Sequence, residues 1–163
     1  MEKVNRILSD ERYRFYLQKN KALEESRPFC HHNFDHLLAV ARLTYLLLLE
    51  EGCRFIHKEL AYGAGLLHDI GRWKEYQCGG DHAGHSAALA GPILKRAGFH
   101  PSEQAIIIKA ILQHRHSAPA GHRSPLSEAL HKADGMSRLC FFCSSRKDCH
   151  GLERRPQREK LLY

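Results

Sequence analysis

The chain has 163 residues, a formal net charge of +7 and a 43% share of hydrophobic residues against 26% charged, which describes a globular chain with enough apolar material for a core of its own. The longest aliphatic stretch, Leu46 to Leu49, is far too short to span a bilayer, and the N-terminal residues lack the apolar run of a secretory leader. A cytoplasmic location and no membrane partner are therefore expected, and the basic balance favours acidic partners such as phosphates, nucleotides or nucleic acid.

Strand-like alternation is absent, and the periodicity is helical throughout. Residues 2 to 24 read as a polar, weakly periodic helix that breaks at Ser26-Arg27-Pro28. Asn33 suits an N-cap for a helix with an apolar face of Leu37, Leu38, Val40, Ala41, Leu43, Leu46 and Leu47, ended by Gly52. The next helix runs from Lys58 to Ile70 and stops at Gly71. Another starts near Asp81 and stops at Gly98. Pro101 opens a further one, and Ser124-Pro125 is an N-cap and N1 pair for a last helix reaching Leu139. Gly79-Gly80 and residues 117 to 124 read as loops, and Cys140 to His150 as irregular chain or a short helical turn. The expectation is one all-α domain, a bundle of about six helices.

The thirteen histidines are not placed uniformly. His68-Asp69 ends an apolar helix, so two polar ligand types meet in the last turn of a core element. Buried unpaired they would cost several kcal/mol, about 2–7 for a neutral group and more for a charge, and a metal removes that cost. The alternative is that they cap the helix, a position where the macrodipole disfavours an aspartate. His36 opens its helix, with His32 expected on the same face four residues earlier. Asp134 lies among apolar neighbours ahead of Gly135, His82 starts one helix and His114 ends another. Any one of these reads equally as a satisfied core residue; so many on successive helices point to a shared site.

The order His36, His68-Asp69, Asp134, with its flanks HLLAVAR, GLLHDIGR and KADGMSR, resembles the HD-domain metalloprotein signature over residues 28 to 140. The resemblance implies an HD-type helical bundle, with the metal core at 28–140 and a cysteine-containing, basic tail at 140–163. That tail, with Arg154, Arg155, Arg158 and Lys160, is expected to be a solvated, partly mobile end. A subset of the family carries two further histidines and two ions. His82, in HAGHSA, and His114, after KAILQ, match them, although His85 competes with His82. The implied ligands are His36, His68, Asp69, His82, His114 and Asp134, with Asp69 bridging. Imidazole and carboxylate ligands suit two ions of Fe, Mn, Co or Zn.

The activity implied is phosphohydrolysis of a nucleotide or related small phosphate ester or anhydride by metal-activated water. His32 stands in an HN-x-x-H motif, as in some HD-type phosphodiesterases, and is the candidate general acid, unless it only orients the helix. Arg72 and Lys74 are candidate phosphate ligands, or else partners of a helix C-terminus. Two other readings stay open: a di-iron oxygenase on the same ligands, and a non-catalytic signalling or nucleic-acid-binding module. The latter is disfavoured because the basic residues are not interleaved with aromatics.

Six cysteines are present. Cys140, Cys143 and Cys149 follow the last metal helix and Cys30 precedes the first. These four either pack as reduced thiols or form a second site for zinc or an iron–sulfur cluster, with His150 as a substitute ligand. Cys53 and Cys78 read as unpaired structural residues.

Overall fold

The computed structural model describes residues 1–115 and 123–163. Among these residues there is no strand, and eight α-helices follow one another: α1 (Glu2–Ser9), α2 (Glu11–Glu24), α3 (Phe34–Glu50), α4 (Lys58–Leu67), α5 (Arg72–Cys78), α6 (His82–Arg96), α7 (Pro101–Gln113) and α8 (Pro125–Met136). The all-α expectation holds, with more helices than the periodicity suggested. None of them is long and apolar enough to cross a membrane. The expected loop at 117 to 124 falls largely on residues outside those described.

The extra helices have local causes. Residues 2 to 24 form two helices because Asp10 is extended and its carboxylate accepts the backbone N–H groups of Arg12 and Tyr13 at 2.9 and 3.1 Å. An N-cap of this kind is worth about 1 kcal/mol, and here the same carboxylate also meets the Arg96 guanidinium of α6 at 2.7 Å. The helix expected to reach Ile70 ends at Leu67, and His68 to Gly71 form a turn into α5, a short polar helix that hydrophobic periodicity could not reveal. Gly79 and Gly80 then turn the chain with φ of +72° and +86°. Where sequence signals were strong the ends fall as expected. Asn33 accepts from the His36 N–H at 3.0 Å, Ser124 from that of Ser127 at 3.2 Å, and Pro101 and Pro125 open their helices. The last helix ends at Met136, short of Leu139.

The core lies between α3, α4, α7 and α8, with α6 laid over α7 and α1 closing one side. Leu37, Val40, Leu48, Leu66, Leu67, Ile70, Ile107, Ile111, Leu126 and Leu130 are fully buried there. Helices α3 and α4 approach closely at Gly65, where a Cβ would stand 2.4 Å from the Ala41 Cα. That contact brings the end of α4, and with it His68 and Asp69, under the first turn of α3.

Candidate metal centre

His36 stands in the first turn of α3, His68 and Asp69 in the turn after α4, His82 at the start of α6, His114 just past α7 and Asp134 near the end of α8. The fold brings all six together. His36, His68, Asp69 and Asp134 form one group and Asp69, His82 and His114 another, each with ligand atoms within 4.8 Å of one another. Asp69 belongs to both. Its Oδ2 lies 3.2 Å from His68 Nε2 and 3.8 Å from His36 Nε2. Its Oδ1 lies 3.3 Å from His82 Nε2 and 4.0 Å from His114 Nε2. Asp134 Oδ1 completes the first group at 3.3 Å from His36 Nε2.

The outer nitrogens fix the tautomers. His68 Nδ1 donates to the Gly65 carbonyl at 2.8 Å and His114 Nδ1 to that of Ile111 at 2.6 Å. His36 Nδ1 meets Ser137 Oγ at 3.1 Å, a hydroxyl that itself donates to the Asp134 carbonyl, and His82 Nδ1 faces the Glu75 carboxylate at 3.2 Å. With the protons held on Nδ1, the Nε2 atoms of His36, His68 and His114 turn lone pairs inward, the arrangement of imidazoles prepared for a cation, while His82 Nδ1 also lies 3.1 Å from the Arg72 guanidinium.

Three observations test whether a cation fits. His36 Nε2, His68 Nε2 and Asp69 Oδ1 are buried and have no hydrogen-bond partner, a state that folded proteins avoid. His82 Nε2 and His114 Nε2 lie 3.3 Å apart, close enough for one cation to meet both. Burial opposes the charged form of His68 most strongly, yet Asp69 and Asp134 push its pKa up to about 10. The buried Asp69 and half-buried Asp134 carboxylates thus draw a positive charge to this spot, and without a metal a proton supplies it. The donor set and these unsatisfied atoms fit divalent transition-metal ions.

His32 precedes the Asn33 cap and lies outside α3, so it does not share a helical face with His36 as the four-residue spacing suggested. Its ring nevertheless sits 5.6 Å from that of His36, with Nε2 3.7 Å from Asp69 Oδ2. Its Nδ1 is hydrogen-bonded to Glu24 Oε1, and its backbone N–H donates to Glu24 Oε2 at 2.7 Å. Burial pushes the His32 pKa down to about 4, against the pull of Asp69 and Glu24. Burial works the other way on Glu24, but the bonds from His32 and Tyr76 hold its carboxyl at about 2. At neutral pH the pair is a carboxylate and a neutral imidazole with its bare Nε2 aimed at the centre.

Arg72 reaches the centre: its Nε lies 3.5 Å from Asp69 Oδ1 and its guanidinium bonds Glu75 at 2.5 Å. Lys74 does not. Its ammonium lies over the Trp73 ring, 5.6 Å from the centroid, and it is not part of the cleft wall. His85 also points elsewhere, to the Gly79 carbonyl at 3.0 Å, so His82 is the one at the centre. His82, His114 and Asp134 line a cleft of about 800 Å³, whose wall also includes Arg72, Arg115, Lys132, Arg154 and Arg155. The basic tail is therefore in part a wall of the cleft and not simply a solvated end.

Several contributors escaped the sequence reading. Asn20 is fully buried; its Nδ2 donates to the Asp69 carbonyl at 3.0 Å and its Oδ1 accepts the Trp73 N–H at 2.8 Å, holding the turn that presents the His-Asp pair. Glu24 lies one turn on. A signal existed, since Asn20 and Glu24 keep helical register with buried Tyr13, but a polar residue on a weakly apolar face does not announce burial. Glu75 sits in the helix that went unrecognised.

A family model, that of the HD domain, matches residues 33–139. An uncharacterized protein of Clostridium beijerinckii is 37% identical over 150 residues, covering 92% of each chain. No solved structure matches significantly.

Proposed function

This chain belongs to the HD-domain family, whose members are in general metal-dependent phosphohydrolases, and from that premise we propose that it hydrolyses a nucleotide or a related small phosphate ester or anhydride. The observation that carries the reading is Asp69 shared between two groups of nitrogen and oxygen atoms, of which His82, His114 and Asp134 open onto a cationic cleft.

His36, His68, Asp69 and Asp134 would hold one ion, and Asp69, His82 and His114 a second. Bound there, divalent ions supply Lewis-acid polarisation of a phosphoryl oxygen and bring the ionisation of water toward neutral pH. The remaining work falls to side chains. Arg72, Arg115, Arg154 and Arg155 present guanidinium groups that neutralise the phosphate oxygens and orient the group for in-line attack. Leu112 and Met136 offer an apolar strip for the organic part of the substrate. The cleft volume suits a small ligand of nucleotide size, about 300–1,000 Å³ being usual.

His32 handles the proton. A phosphate dianion entering beside its Nε2 raises the affinity of the imidazole for a proton, which Nε2 takes from solvent, while Glu24 secures Nδ1 and stabilises the imidazolium. The proton then passes from Nε2 to the leaving oxygen, a transfer worth about 10²–10⁴-fold in rate.

The test is a phosphate-release screen over a nucleotide panel with metal-loaded protein, beside the Asp69→Ala variant. Release by the native chain and its loss, with loss of bound metal, in the variant are the expected results. Release that survives Asp69→Ala refutes the assignment, and oxygen consumption by the iron-loaded protein without phosphate release favours the di-iron oxygenase instead.

A further inference from the structure

After α8 the chain makes three single 3-10 turns, Cys140–Phe142, Arg146–Asp148 and Leu152–Arg154, and no α-helix. Between residues 139 and 155 only Cys140 is buried, and Phe142 is 86% exposed. So little apolar burial does not offset the entropy of ordering such a stretch; comparable small segments rely on a disulfide or a metal. All six cysteines are free thiols.

Four of them nevertheless come to one place. Cys30, from the segment before α3, and Cys140, Cys143 and Cys149 line a single cavity of about 10 Å³. That is room for about one water-sized sphere. The backbone prepares the approach: the N–H of Cys143 bonds the Cys140 carbonyl at 3.3 Å, and the N–H of Cys149 that of Arg146 at 3.3 Å. Ser145 Oγ donates to the Pro28 carbonyl at 2.5 Å and Arg138 to that of His31 at 2.7 Å, so the two segments are joined without the sulfurs.

We propose that Cys30, Cys140, Cys143 and Cys149 bind one zinc ion as four thiolates, at a structural site separate from the histidine–aspartate centre. Soft thiolates in a tetrahedral set select zinc. Among the described residues the sulfurs do not form a third group within 4.8 Å of one another, so binding draws them inward by side-chain rotation, which exposed Cys143 permits. The site clamps residues 140–155 to the segment leading into His32. Because Gly151, Arg154 and Arg155 belong to the cleft wall, the zinc fixes that wall.

The experiment uses the full chain with His68→Ala and Asp69→Ala together, so that the centre is emptied. One zinc per chain is expected to remain, and cobalt exchanged for it is expected to show thiolate charge-transfer bands. Adding Cys143→Ser and Cys149→Ser should remove the ion and the hydrogen-exchange protection of residues 140–155, whereas Cys53→Ser should not. Should the serine variants fail to fold, titration of the wild-type thiols with a mercurial is expected to release this zinc in step with four sulfurs. No zinc in the emptied protein, zinc retained by the double serine variant, release unrelated to those thiols, or iron with inorganic sulfide would each overturn the proposal. None of these measurements reads phosphate release, so they stand or fall apart from the hydrolytic reading.

Discussion

His68 carries two kinds of consequence. Its Nδ1 is tied to the Gly65 carbonyl, so only Nε2 is available to the centre, and Asp69 and Asp134 overcome burial to raise its pKa from 6.5 to about 10. A raised pKa means that the metal-free protein binds a proton here up to that pH. Metal uptake must displace it. Calorimetry in buffers of different ionisation enthalpy should therefore show about one proton released per chain from this group between pH 7 and 8, fading as pH passes the raised value. The same sign governs stability: this charge pair helps the metal-free fold fully below the ordinary pKa and less as pH climbs toward the raised one. Glu24 is the opposite case. Its carboxyl is held at about 2, so its contribution is present above 4.5 and is lost as pH falls toward 2. Glu24→Gln should flatten the acid limb of the stability curve. In the metal-loaded enzyme it should lower kcat by about 10–100-fold, the usual effect of losing a carboxylate behind a histidine, with metal content unchanged and the pH profile displaced. An unchanged pH profile would remove Glu24 from the proton path.

At the scale of elements, the site depends on where helices end. Helix α4 delivers the His-Asp pair because it stops at Leu67 and the chain turns there, braced by Asn20 of α2 on one side and by Ser86 of α6, whose Oγ accepts the Gly71 N–H at 2.9 Å, on the other. Gly65 sets the distance between α3 and α4, and its carbonyl holds His68. Gly65→Ala places a Cβ against the α3 backbone, which cannot yield without moving the helix. Overpacking of this kind costs about 1–3 kcal/mol. The expected outcome is a lower midpoint in urea and weakened metal binding together; a variant as stable as the native chain with full metal content would show that α3 and α4 separate freely.

Over the whole molecule, the excess positive charge is not spread evenly. Arg72 and Arg115 come from the middle of the chain, Lys132 from α8, and Arg154 and Arg155 from the turns beyond it, and all reach one cleft. Such a cleft attracts polyanions over a range set by ionic strength. Phosphate-release kcat/KM should therefore fall as salt rises from about 0.05 to 0.5 M, about a threefold fall in Debye screening distance. Arg155→Ala should raise KM several-fold with little change in kcat, the pattern of lost uniform binding. Salt-independent kinetics would mean that the cleft does not receive the anion.

The helical class and the main caps could be read from the chain alone, and the resemblance pointed to six histidine and aspartate candidates, with His85 still competing with His82. Helical periodicity, cap residues and motif flanks are local properties, written within a few residues of one another. What needed the fold was every relation between distant segments. Asn20 and Glu24 are ordinary polar residues on α2 until packing buries them behind Asp69 and His32. Lys74 and Arg72 stand two apart, yet one lies over Trp73 and the other meets Asp69, because the direction of a side chain depends on the surface its helix packs against. Spacing favours His82 over His85, and the placement of α6 against the α4–α5 turn sends His82 to the centre and His85 to a glycine carbonyl. Long-range proximity is fixed by burial and steric fit summed over the whole core, and no local window of sequence contains that sum.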